Sequence, residues 1–82
     1  MATPKILIVE DDSIVAMAMR VCLIRLGYDV VGVAGTGAKA LEIGERTSPD
    51  LVLMDIKLEG GMDGIETAAR LRSITTVPVV YV

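Results

Sequence analysis

Three acidic residues stand where carboxylates could act together on a metal ion or a phosphoryl group. Glu10 and Asp11 directly follow the apolar run Ile6-Leu7-Ile8-Val9, and Asp55 directly follows Leu51-Val52-Leu53-Met54. Crowded carboxylates repel one another, and burying them is costly unless a cation or hydrogen bonds neutralise them. A hard divalent ion meets that need. Mg2+, with Mn2+ as an alternative, prefers oxygen ligands and binds through one or two carboxylates together with a substrate phosphate. On this reading Glu10 and Asp11, adjacent in the chain, bracket the ion. Asp55, alone on its own strand end, also touches the ion and is the oxygen nucleophile, as carboxylates are in aspartyl-phosphate chemistry. The main-chain carbonyl of Lys57, two residues on, is a further hard-oxygen ligand if the loop curls back. The alternative is that Glu10-Asp11 and Asp55 are only solvated strand ends, and residue type by itself leaves both readings open.

Rival chemistries find little support. There is no His, which removes imidazole metal sites and His-based proton relays within the chain. Gly60-Gly61 lacks the Lys-Ser/Thr ending of a phosphate-cradling loop and reads as a turn. No glycine-rich fingerprint follows the first apolar run, where a dinucleotide-binding fold would need one.

The elements that must position these acids follow from periodicity. Lys5 to Val9 is short, apolar and rich in β-branched residues, as a parallel strand covered on both faces requires. Ser13 to Leu26 carries Ile14, Met17, Val21 and Ile24 at helical spacing and closes on Gly27, with Asp12 or Ser13 as the cap. Tyr28 to Ala34 is a second strand, which Gly32 weakens. A helix from Ala38 to about Arg46 is opened by Thr36 or Gly37, presents Ala40, Leu41 and Ile43 to the sheet, and is stopped by Pro49. Leu51 to Met54 is the third strand. Asp63 caps a helix over Gly64 to Arg72, in which Ile65, Ala68, Ala69 and Leu71 form the apolar side and Glu66 and Arg70 an i,i+4 pair. Pro78 to Val82 begins a fourth strand.

Repeated strand-helix units predict right-handed βαβ crossovers and a three-layer, doubly wound parallel sheet. In such sheets ligands bind outside the carboxyl ends of the strands, where the strand order reverses. If strands one and three are neighbours, with strand two beyond strand one, Glu10, Asp11 and Asp55 share a crevice.

Composition bounds the rest. With 82 residues, 52% hydrophobic and 2% aromatic, the chain holds one domain at most, built from Val, Ile, Leu, Ala and Met. A domain of this size buries roughly 60% of the surface its unfolded chain exposes. The net charge of -3, from 8 basic and 11 acidic residues, argues against direct nucleic-acid binding. No apolar run spans a membrane, the start lacks signal-peptide features, and the lone Cys22 excludes a disulfide framework, so a cytoplasmic location is expected. Cys22, among apolar residues, is expected to be buried and inert.

Ile6 to Asp12 (ILIVEDD), Leu51 to Glu66 (LVLMDIKLEGGMDGIE) and Val77 to Val82 (VPVVYV) together resemble the receiver domain of two-component response regulators. The resemblance implies a flavodoxin-like fold with strand order 2-1-3-4-5, of which residues 1–82 would be the N-terminal part of a single domain. It also implies that Asp55 is the phosphoacceptor and that Glu10 and Asp11 are the acidic pair. The implied partners are a sensor histidine kinase or phosphotransfer protein and a C-terminal output domain. Such a domain is a Mg2+-dependent self-phosphorylating switch rather than a conventional enzyme. The family's Thr or Ser after strand four and Lys ending strand five would fall beyond Val82. Relative to the family, Met62-Asp63-Gly64 begins one residue further past the acceptor and no Pro intervenes, so the rim should be reshaped with Asp55 unmoved. Two other readings stand beside it. One is a protein-binding or homo-oligomeric module acting through an exposed strand-four edge. The other is a metal-dependent phosphatase of similar topology, disfavoured because Lys57 stands where such enzymes carry a second Asp.

Overall fold

Strands and helices alternate along the chain in a computed structural model that describes residues 3–58 and 61–82. The elements are β1 (Lys5–Val9), α1 (Ser13–Arg25), β2 (Asp29–Ala34), α2 (Gly37–Thr47), β3 (Leu51–Met54), α3 (Gly64–Ile74) and β4 (Val79–Tyr81). All strand pairs are parallel and the order is β2-β1-β3-β4, as the resemblance implies for these four strands. The central strand β1 is almost wholly buried, which explains its continuous apolar run. Its register with β2 shifts between Ile6 and Leu7.

Local chemistry sets the helix ends. The Asp12 carboxylate accepts from the N–H groups of Ile14 and Val15, and that of Asp63 accepts from Glu66, satisfying donors that a helix start leaves free. Both caps fall where the sequence places them, and Thr36 caps α2. Helix α1 ends in a Schellman motif: Gly27 has φ +94, its N–H donates to the Ile24 carbonyl, and the Tyr28 N–H donates to that of Leu23. At the end of α2, Ser48 takes the left-handed conformation at φ 48 and its N–H donates to the Gly44 carbonyl, so the turn itself closes the helix before Pro49. Glu66 and Arg70 pair at 3.0 Å, as their spacing suggests. Of the expected Gly60-Gly61 turn, Gly60 lies outside the described residues, and Gly61 has φ +35.

The core lies between the sheet and the α2–α3 layer. Leu7, Val9, Val52 and Met54 project from the strands into one cluster with Ala40, Ile43, Ala68 and Leu71. Where α2 and α3 meet, Thr67 is fully buried and donates its hydroxyl to the Asp63 carbonyl at 2.7 Å. A Cβ on Gly37 would collide with that hydroxyl oxygen.

Two expectations about side chains are corrected, for Cys22 and for α3, and the inner face of α1 is fixed. Ile14, Met17, Val21 and Ile24, at helical spacing, are exposed, Ile14 at 81%, and Ala16 is the buried residue of α1. Because α1 is apolar on nearly every side, periodicity could not choose its inner face. Cys22 is exposed rather than buried, for the same reason. In α3, Ile65 and Ala69 are exposed, and the inner stripe runs through Gly64, Thr67, Ala68 and Leu71.

Candidate metal and phosphoacceptor site

The parallel order places the carboxyl ends of β1 and β3 side by side. Their residues pair from Ile6 with Leu51 to Val9 with Met54, so Glu10 and Asp55 emerge as neighbours at one end of the sheet. The Asp55 N–H donates to the Val9 carbonyl at 2.8 Å, and the Glu10 N–H to the Ala34 carbonyl at 2.9 Å, extending both ladders by one residue. The acids are thereby carried on rigid strand ends rather than on free loops.

Glu10, Asp11 and Asp55 each present a carboxylate oxygen within 4.8 Å of the others, and all three residues are half-buried. This donor set fits a hard divalent cation, because it is all oxygen and concentrates negative charge that only a cation or a proton can offset. Burial pushes the Glu10 carboxyl above its ordinary range of 4.5, and the neighbouring Asp55 and Asp11 carboxylates push it further; the Asp12 N–H, which donates to it at 3.2 Å, acts in the opposite direction. The site therefore holds more negative charge than its protein neighbours neutralise. A hollow of about 290 Å³ adjoins the acidic pair on the α1 side, bordered by Ser13, Ala16, Met17 and Arg20.

The Lys57 N–H donates to a carboxylate oxygen of Asp55 at 3.1 Å, a local contact two residues along the chain. Asp12 and Asp63 take no part in the cluster and act as helix caps. One residue that periodicity passed over is Gly64, whose N–H donates to the Ile56 carbonyl at 2.8 Å, directly beside the acceptor.

Comparison with known proteins follows this geometry. Residues 6–82 match the family model of the response regulator receiver domain. The chain belongs to that family. Among curated relatives, it is 40% identical over 76 residues to the transcriptional regulatory protein PdtaR of Mycobacterium tuberculosis, covering 93% of this chain and 37% of that protein. It is 39% identical over 83 residues to the phyllosphere-induced regulator PhyR of Methylorubrum extorquens, covering 100% of this chain and 31% of that protein. This receiver chain thus spans about a third of the length of these curated relatives. Among solved structures it resembles the signal receiver domain of a modulated diguanylate cyclase from Desulfovibrio desulfuricans, with a TM-score of 0.92 and 43% identity over 96% of this chain and 63% of that one. It also resembles PhyR from Bartonella quintana in complex with the anti-sigma factor NepR, with a TM-score of 0.88 and 29% identity over 96% of this chain and 32% of that one. Response regulators belong to two-component systems, in which receiver domains pair with kinases and output domains. Among the described residues no helix is long and apolar enough to cross a membrane.

Proposed function

We propose that this chain is the phosphoacceptor part of a two-component response regulator, receiving a phosphoryl group from a sensor histidine kinase or phosphotransfer protein on Asp55. The observation that carries this reading is the convergence of Glu10, Asp11 and Asp55 within 4.8 Å at the carboxyl ends of β1 and β3. A carboxylate oxygen of Asp55 attacks phosphorus as the P–N bond of the donor phosphohistidine breaks. The bonding pair returns to the imidazole nitrogen, which then takes a proton from solvent. Glu10, Asp11, Asp55 and the Lys57 carbonyl would hold Mg2+, with Mn2+ able to replace it. When bound, it would offset charge that develops on the transferred oxygens. The Lys57 N–H orients the Asp55 carboxylate, and Asp12 keeps the acidic pair at the mouth of α1 by capping that helix. This is a self-phosphorylating switch rather than a conventional enzyme.

In this reading residues 1–82 form the N-terminal part of one receiver domain in a cytoplasmic protein, and a C-terminal output domain reads its state. The acidic balance of -3 gives this part no role in direct nucleic-acid binding. Acetyl phosphate or beryllofluoride with Mg2+, added to a full-length form, should modify Asp55, and acetyl phosphate should leave an acid-stable, hydroxylamine-sensitive acyl phosphate. Labelling that persists after Asp55→Asn would refute the assignment.

A second reading draws on β4, an edge strand of the described sheet with Val80 and Tyr81 exposed. Where β4 is an edge, strand addition to it would make the chain a homo-oligomeric or protein-binding module. Sedimentation velocity separates the two: self-association that vanishes when Val80 is replaced by Lys supports the edge, and a monomer at all concentrations removes it.

A further inference from the structure

The acceptor residue is held from three directions. Its N–H bonds to Val9 of β1, its carboxylate accepts from the Lys57 N–H, and its main-chain carbonyl lies against the bare Cα of Gly64. A Cβ at position 64 would stand 2.8 Å from the Cα of Ile56 and closer still to the Asp55 carbonyl oxygen. Both neighbours are backbone, so no side chain can swing aside to make room. Gly64 has no positive φ, so the demand for glycine here is one of space and not of conformation. Its N–H also donates to the Ile56 carbonyl at 2.8 Å, which seats the first turn of α3 on the Asp55–Ile56 segment.

Helix α3 has little freedom to back away. Thr67, one turn on, is fully buried, donates to the Asp63 carbonyl, and packs against Gly37 of α2 so closely that a Cβ there would strike its hydroxyl. A methyl group at position 64 would therefore displace the Asp55–Ile56 peptide and, with it, the Asp55 carboxylate relative to Glu10 and Asp11. We propose that Gly64 is a positioning residue for the acceptor: the absence of its side chain sets how deeply the Asp55 peptide sits and so holds the carboxylate in range of the acidic pair. This rests on the reading of Asp55 as a phosphoacceptor beside a divalent cation.

The test compares Gly64→Ala with Gly44→Ala in the full chain. Gly44 lies on the same α2–α3 seam, but a Cβ there meets only side-chain atoms, the Cδ2 of Leu71 at 2.7 Å and that of Leu7 at 3.9 Å, and no atom of Asp55 or Ile56. Both variants should lower the melting temperature. At a temperature where both remain folded by circular dichroism, Gly64→Ala should weaken Mn2+ binding by on the order of tenfold and slow acetyl phosphate labelling of Asp55. Gly44→Ala should do neither. A folded Gly64→Ala with unaltered Mn2+ affinity and labelling overturns the proposal, and so does an equal loss in Gly44→Ala. If Gly64→Ala does not fold, the amide resonance of Gly64 in the unaltered protein decides: it should move on Mg2+ titration with the midpoint of the Asp55 amide while that of Gly44 stays still, and a stationary Gly64 refutes positioning. Unaltered protein that neither binds Mn2+ nor is labelled would sink the acceptor reading itself, and the proposal with it.

Discussion

On one face of the sheet, α2 and α3 close over Leu7, Val9, Val52 and Met54 and leave them with no exposure. On the other, α1 packs against β1 and β2, while Leu51 and Leu53 are half-buried and Val80, which pairs with Leu53, is exposed. Helix α1 itself shows Ile14 and Met17 at the surface. The difference separates two tasks. The α2–α3 layer grips the acceptor loop through Gly64 and supplies most of the core, whereas α1, capped by Asp12, starts beside the acidic pair and presents apolar surface.

The comparison can be broken by mutation. The largest expected loss of stability is for Leu71→Ala, which removes a fully buried side chain from the α2–α3 layer. Such truncations cost about 2–5 kcal/mol, a large share of the roughly 5–15 kcal/mol that holds a typical domain together. Urea unfolding followed by circular dichroism should show it, and a loss below about 1 kcal/mol would mean that this layer is not the core.

An intermediate effect is expected at the acidic site. Without a cation, the folded state holds the Glu10 proton more tightly than the unfolded chain does, because its carboxyl lies above 4.5. Ionised Glu10 therefore destabilises the fold at neutral pH, and the penalty fades as pH falls through the raised value toward 4.5. Glu10→Gln should remove this slope from melting curves taken between pH 4 and 7 (roughly the window set by the shift). It should also weaken Mg2+ binding, by about tenfold or more, since one unit charge near a divalent ion contributes a kcal/mol or more even in water. A variant with the original pH slope and full Mg2+ affinity would remove Glu10 from the site.

The smallest effect is expected on the open side. Ile14→Ser and Met17→Ser change side chains exposed at 81% and 67% and should alter stability by less than about 0.5 kcal/mol. A loss comparable to that of Leu71→Ala would show that α1 is buried in solution, for instance by self-association, and sedimentation of the same samples would reveal it.

How much was legible beforehand differs between backbone and side chains. The two apolar runs ending in acids located β1 and β3 to the residue, since a strand buried on both faces writes itself as an unbroken β-branched stretch. The caps Asp12 and Asp63 were readable because a short carboxylate before a helical pattern has one common use. The inner face of α1 was not readable, because with apolar residues on every side its periodicity carries no direction. Thr67 in α3 was missed because a hydroxyl does not advertise burial. It is tolerated there only because the Asp63 carbonyl, brought close by the helix itself, accepts its hydrogen bond.

Residue order alone thus located which acids stand at strand ends and implied parallel strands, since these follow from local pattern; that the chain is a receiver entered as a resemblance of its motifs, which the family match bears out. Tertiary structure decided that the three carboxylates come within 4.8 Å and that Gly64 must be bare. Both depend on how strands and helices distant in sequence stack, and the spacing of residues along a chain does not encode the distance between elements that only packing brings together.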